Sequence, residues 1–275
     1  MKTIILLVLG FVLVRSITLA QSLRYAAALP YIGSGAYSKQ QQDPFSFTSN
    51  QAALAQANYV AVGAYAERRF LLAPTSYYAT AAVFPSRLGN FGLQLNYGGF
   101  KNFNENKIGL AFARKLGTRL DVGIQFNYYG YRVPAYNSAT AINFEAGIIM
   151  HFTDKLQGGI QVYNPVGGAL GKTTGEKLAS VYKMGMGYDA STNFFAGIEI
   201  IKEEDMPVNC IASMRYRFAG RFFARMGITS ESTSVFGGAG WSWNDLRVDV
   251  SASYHPQLGF SPGILIIMNI KGKTI

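Results

Sequence analysis

The chain has 275 residues, 49% hydrophobic, 14% aromatic and only 15% charged, with a formal net charge of +10. So much apolar and aromatic surface excludes a disordered chain, the single cysteine, Cys210, excludes a disulfide scaffold, and two His with one Cys leave too few ligands for a zinc site. Beyond residue 20 no run approaches the roughly 18 consecutive apolar residues of a spanning helix, which argues against a helical membrane protein.

Residues 1–20 read as a secretory signal peptide. Lys2 supplies the basic start, Ile4 to Val14 an apolar run of 11 residues, and Thr18-Leu19-Ala20 the small residues before cleavage. An uncleaved anchor is the alternative, but the run is short for one. No Cys follows it, so a lipid-modified N-terminus is not available. Loss of Lys2 and Arg15 leaves 23 basic against 15 acidic residues, a net +8. An exported chain without a Lys/Arg run has no nucleic acid partner to expect, and isolated basic residues at strand ends account for the balance.

Residues 21–57 differ in character from the rest of the chain. Gly33-Ser34-Gly35 leads into polar Ser38-Lys39-Gln40-Gln41-Gln42, then Asp43-Pro44-Phe45, then Asn50-Gln51-Ala52-Ala53-Leu54-Ala55. Ser49 or Asn50 is placed to cap a short Ala-rich helix. The segment is expected to be a plug folded into or under a lumen, with a periplasmic tail as the alternative.

From about Tyr59 onward, segments alternate apolar with polar or small residues, the period of a strand. Leu120, Val122, Ile124, Phe126 and Tyr128 oppose Asp121, Gly123, Gln125, Asn127 and Tyr129; Ile142, Phe144, Ala146 and Ile148 oppose Asn143, Glu145 and Gly147. Fourteen such segments are expected, at 58–68, 77–85, 89–99, 105–115, 119–132, 140–152, 155–163, 177–188, 192–202, 207–218, 221–229, 232–243, 246–255 and 258–270. Tight turns such as Leu116-Gly117-Thr118 and Asn244-Asp245 alternate with mostly longer links at 69–76, 100–104, 133–139, 164–176 and 203–206. Short turns on one side and longer loops on the other organise an outer-membrane barrel. An even strand number puts both ends of the chain on the periplasmic side.

Hydrocarbon forbids open sheet edges, so spanning strands must close. These segments have the about 9–11 residues a spanning strand needs. Alternation alone does not separate a barrel from a soluble β-sandwich. The aromatic residues favour the barrel: Tyr97, Tyr128, Tyr188, Tyr216, Phe218, Trp241, Trp243 and Tyr254 lie near segment ends, where interface girdles sit. The expected architecture is therefore all-β: signal peptide 1–20, plug segment 21–57, and a 14-stranded antiparallel transmembrane β-barrel over 58–275, in contact with outer-membrane lipid.

The plug segment carries a resemblance. Gly33-Ser34-Gly35-Ala36, the acidic Asp43, and Asn50, Ala52, Leu54 and Ala55 resemble the N-terminal motif of FadL-like outer-membrane barrels, and within them the PorV/PorQ-type proteins of Bacteroidota. Gln51 stands where that motif has Pro and Ala53 where it has Gly. The resemblance implies one of two roles. PorV/PorQ-type proteins are accessory subunits of secretion machines, notably type IX, whereas FadL-type proteins pass hydrophobic solutes. Because the loops are short, the expected role is a non-enzymatic accessory subunit of an outer-membrane secretion or assembly complex, with other outer-membrane or periplasmic subunits as partners. A channel for small hydrophobic solutes is the alternative.

If the apolar face looks outward, Glu67, Asp121, Glu145, Lys183, Glu199, Arg215, Arg217, Arg225, Arg247, Asp249 and His255 face the lumen. Both signs are present, so a paired polar interior is the simple reading; a selective permeation path is the alternative. A hydrolase on Glu145 and Glu199 would need carboxylates about 5–10 Å apart. His151 and His255 have no triad spacing. The stretch from Pro165 through Gly167, Gly171 and Lys172 to Thr174 lacks the first Gly of a phosphate loop, where Val166 stands. It reads as an external loop and candidate partner contact. Glu203-Glu204-Asp205 reads as a solvated loop. No cofactor is expected.

Overall fold

The alternating segments fold as fourteen strands: β1 (Val60–Arg68), β2 (Ser76–Phe84), β3 (Asn90–Phe100), β4 (Phe103–Leu116), β5 (Leu120–Val133), β6 (Asn137–His151), β7 (Leu156–Tyr163), β8 (Val181–Asp189), β9 (Phe194–Glu203), β10 (Asn209–Phe218), β11 (Phe222–Thr229), β12 (Ser234–Trp243), β13 (Leu246–His255) and β14 (Gly259–Ile270). The structure, a computed structural model, describes residues 29–134, 137–167, 178–218, 220–231 and 234–270. The signal-peptide reading and residues 168–177 of the longest loop, with Gly171 and Lys172, lie outside them. Each strand pairs antiparallel with its neighbours in sequence, and β14 returns to β1, closing the barrel. The closing ladder runs from Val60 opposite Ile270 to Glu67 opposite Gly263.

Most strand ends fall close to the expected ones, because the turns between strands are marked by Gly, Asp, Asn and Ser. One link differs. The expected loop at 100–104 is a hairpin, with Phe100 paired to Phe103 and only Lys101 and Asn102 between them. Asn102 and Asn104 point to a loop in the sequence, but beyond the hydrocarbon a strand needs no apolar face, so polar residues there do not end it. Among the described residues no helix is long and apolar enough to cross a membrane.

The pleat sorts the side chains as the alternation requires. On β5, Ile124, Phe126 and Tyr128 are exposed on the outer surface while Asp121, Gln125, Asn127 and Tyr129 are buried inside. All eight aromatic residues assigned to the girdles are exposed and outward. Girdle rings gather in pairs: Trp241 with Trp243 at 5.7 Å, Phe218 with Phe222 at 6.2 Å, Tyr254 with Phe260 at 4.9 Å and Tyr78 with Tyr97 at 6.5 Å. Cys210 also lies on the outside.

A ring of fourteen strands encloses more space than its own side chains fill. The segment before β1 fills it, through a short helix α1 (Leu29–Ile32), a second short helix α2 (Ser46–Ser49) and a 3₁₀ turn over Gln51–Gln56. Asn50 caps that turn, its side chain accepting from the Ala52 amide at 3.0 Å. Tyr31, Ile32, Tyr37, Phe45, Phe47 and Leu54 are all buried. The Gly-rich inner face finds its reason here. A Cβ at Gly147 would fall on the Asn50 side chain, at Gly123 on the Gln51 backbone, at Gly185 on the Tyr37 ring and at Gly63 on the Phe45 ring. The wall has glycine where the plug lies directly against its backbone.

Gly147→Val should therefore push Asn50 off the wall and destabilise the barrel by about 1–3 kcal/mol, the usual penalty of overpacking. Urea unfolding followed by Trp241 and Trp243 emission measures it. Gly130→Ala, where a Cβ meets only the flexible Asn106 side chain at 3.2 Å and nothing else closer than 3.5 Å, should change little.

Candidate functional site

Polar bonds fix the plug to the wall on three sides. Asn50 Nδ2 donates to the carbonyls of Ile148 at 3.3 Å and Ile160 at 3.1 Å. Ser38 Oγ and the Lys39 amide donate to Asp189 at 2.6 and 3.0 Å. Asp43 Oδ2 meets Arg247 at 2.9 Å and Arg225 at 3.9 Å, while its other oxygen accepts from the Phe45 amide at 2.9 Å. Ala52 and Leu54 are buried beside Asn50, and Leu54 offers its carbonyl to Asn90 at 2.8 Å. Tyr31 donates to Asp249 at 3.3 Å, and burial pushes its hydroxyl up to about 12, so it remains a donor.

The charged residues of the inner face fall into separate groups. Glu145 is a hub: it accepts from Lys107 at 2.6 Å, Asn127 at 2.8 Å, Gln161 at 2.9 Å and from Gln51 of the plug. Glu199 meets Lys183 at 3.9 Å and accepts from Ser49 at 3.0 Å. Glu67 pairs with Arg69 at 3.5 Å and accepts from Tyr65 at 2.9 Å. Asp121 and His151 lie 2.7 Å apart. Arg247 grips Asp249 as well as Asp43, and Arg225 also donates to the Tyr31 carbonyl. Arg215 is buried on the Phe223 ring, 3.9 Å from its centroid, with no ion pair among the described residues. Arg217 is half-buried near the turn end. His255 accepts the Gln257 and Leu258 amides at 3.2 and 3.3 Å. Gly167 sits in a turn with φ of 63°.

The plug thus turns two wall carboxylates into contacts of its own, Glu145 through Gln51 and Glu199 through Ser49. Neither stands free as an acid or base: a lysine from the wall already sits on each. Among the described residues no three His, Cys, Asp or Glu side chains are grouped to hold a metal ion. The sequence did not single out Lys107, Gln51, Ser38, Tyr37 or Asp189 for these contacts. Lys107 carried a signal, because it alternates with outward Ile108 and Leu110 on β4.

What the plug leaves open is a cup of about 300 Å³ at the end of the barrel that carries the longer loops. Gly33, Ser34, Tyr37 and Ser49 form its floor, and Phe195, Ile201, Ile211 and Phe236 its apolar wall. Phe70 overhangs it from the β1–β2 link, its amide donating to Ser261 at 3.0 Å and its ring set edge-on to His255 at 6.0 Å. Outside the barrel, a cleft of about 650 Å³ runs between Met214, Met226, Tyr254 and Phe260. Gly197, Ser213, Val235, Phe236 and Ser253 border both spaces. Only one layer of backbone separates cup from cleft, and the Phe236 ring covers Gly227 there.

No family model and no curated protein matches the chain. Solved structures share its fold. The Pseudomonas putida toluene transporter TodX is similar at a TM-score of 0.62 and 10% identity, over 84% of this chain and 95% of that one. The Ralstonia pickettii toluene transporter TbuX gives 0.60 and 10%, over 82% and 92%. A Pseudomonas aeruginosa FadL homologue gives 0.58 and 11%, over 86% and 96%. The shared fold is a 14-stranded outer-membrane barrel, and the apolar outer surface of this one lies in lipid. The expected role as an accessory subunit of a type IX-like secretion complex is corrected by these likenesses: TodX and TbuX are transporters, and none of the three is a PorV/PorQ-type protein. Short loops misled because, among the described residues, the wall and the plug supply most of the lining of the apolar cup.

Asp43→Asn should cost about 3–5 kcal/mol of stability, as for breaking a buried ion pair from one side, since Arg247 then keeps Asp249 alone and Arg225 keeps no ion pair among the described residues. In urea unfolding, the double variant with Arg247→Gln should lose less than the two single losses added together.

Proposed function

We propose that this chain is an outer-membrane channel for small hydrophobic solutes. The observation that carries the reading is the apolar cup above the buried segment that precedes β1. Its volume lies at the lower end of the about 300–1,000 Å³ typical of small-molecule sites. Four large apolar side chains line it; Ser34, Ser49 and Glu199 bring polar groups to its floor, where Glu199 is already held by Ser49 and Lys183, and Asn209, Glu231 and His255 bring them to its rim. Such a lining holds a molecule by burial of its surface and offers little to a hydrophilic one. The transporters that share the fold support the same reading.

The floor also sets the route. Below the cup the plug is bonded to the wall on three sides, which favours a path through the wall over one along the axis. The proposed route instead parts the paired wall at Phe236, Gly227 and Ser213, where cup and outer cleft share a border, toward the lipid. A hydrophobic solute gains by that exit, because it never enters water on the way.

Uptake of a small aromatic hydrocarbon into vesicles carrying the full chain tests this. Ile211→Asp or Phe236→Asp should lower the uptake at least about tenfold, the order set by one misplaced group in an apolar pocket, while heat-modifiable gel migration shows the barrel still folded. Equal uptake by wild type, both variants and protein-free vesicles would exclude the channel.

A further inference from the structure

Among the described residues, exposed charge is not shared evenly between the two ends of the barrel. The short-turn end carries Arg87, Arg114, Lys115, Arg119, Lys155 and Arg221, all exposed. Against them stand Asp154, which Lys39 meets at 3.3 Å, and Asp245. The other acids of this end, Asp43, Asp121, Asp189 and Asp249, are directed inward and bonded there. The loop end is balanced by comparison, with Arg68, Lys101, Arg132 and Lys202 facing exposed Glu204, Asp205 and Glu231.

The cations also have a pattern. They are spread over the turns after β2, β4, β6 and β10 and do not form one patch. Each of these turns sits beside exposed apolar surface: Arg87 next to Leu88, Lys115 next to Leu116, Arg221 next to Phe222, and Lys155 in the turn that begins with Phe152. Arg114 lies on the outward face of β4, between Phe112 and Leu116, at the level of a girdle that includes Phe91 packed against Phe112 at 5.2 Å. Phe222 in turn stacks on Phe218. A cation on the lipid-facing side of a strand, flanked by rings and aliphatic groups, stands at headgroup depth.

We infer that the short-turn rim of this barrel binds anionic phospholipid headgroups of the periplasmic leaflet. Short turns mark the periplasmic side. Cations at headgroup level on the turns after β2, β4, β6 and β10 meet phosphate along much of the rim, the turns after β8 and β12 carrying none, whereas an acidic protein docking from below would be served by a patch facing the water. The phosphodiester takes charge-assisted hydrogen bonds from the guanidinium groups, and the acyl chains lie along the exposed Leu and Phe side chains.

The test is native mass spectrometry of the full-length barrel released from phosphatidylcholine bilayers containing a minor fraction of phosphatidylglycerol. Wild type should retain phosphatidylglycerol in preference to phosphatidylcholine. The variant R87Q/R114Q/R119Q/R221Q should lose that preference, by on the order of fivefold per cation removed, as expected near an anionic surface. The loop-end variant R68Q/K101Q/R132Q/K202Q should keep it. Heat-modifiable migration reports folding; if the fourfold variant does not fold, the four single variants are measured, each with a several-fold loss. No preference in wild type, equal loss in the loop-end variant, or no loss in any single variant overturns the inference. Displacement of the bound lipid by soluble poly-glutamate overturns it in favour of an acidic protein.

Discussion

Closure of the sheet is the constraint that governs everything else in this molecule. In hydrocarbon an unpaired backbone amide or carbonyl has no water to turn to, and each one left open costs several kcal/mol. A chain of spanning strands is therefore stable only when the last pairs with the first. Here β14 pairs with β1 along eight residue pairs, Val60 to Glu67 against Ile270 to Gly263. Outward alternation then becomes obligatory, since a shift by one residue would send Glu145, Asp249 and Arg225 into lipid.

Closure creates the second problem, an interior to fill. Fourteen strands leave a space that polar side chains alone do not occupy, and the segment before β1 occupies it. The wall answers in two ways: glycines at 63, 123, 147 and 185 let plug groups lie on its backbone, and charged side chains reach across to Asp43, Ser49 and Gln51. Burying so many charges is tolerable because nearly all are paired. Arg215 is held instead over a ring, an arrangement in which the Phe223 face takes the place of a counter-ion. Where the plug stops short of the loop end, the apolar residues of β9, β10 and β12 remain uncovered, and the cup is the result.

Much of the fold was legible in the sequence because its rule is simple. Period-two alternation, turn residues and aromatic residues near the segment ends gave the strand number and the faces, and β5 and β6 read almost residue by residue. The interior was less legible. A glycine such as Gly147 looks the same in sequence whether it lines open water or seats Asn50, and nothing local says that Gln51, a departure from the resembling motif, reaches Glu145. Lys107 could have been found from its alternation with Ile108 and Leu110. The role was misread from loop length: short loops favour a docked subunit over a solute channel, while Ile201, Ile211 and Phe236 look on paper like any inward-facing strand residues. Wall thickness, and hence the shared border of cup and cleft, exists only in three dimensions.

Closure itself is most directly measured by cross-linking its seam. Ala64 and Ile266 lie opposite each other on β1 and β14, both on the outer face, and Met268 is two residues along. In a Cys210→Ser background, cysteines at 64 and 266 should oxidise to an intramolecular disulfide in membranes, seen as a shifted band in unreduced gels. Cysteines at 64 and 268 should do so far less. Equal cross-linking of both pairs, or disulfides only between molecules, would mean that the seam is open or set in another register, and that the lumen, the plug seats and the cup do not exist as described.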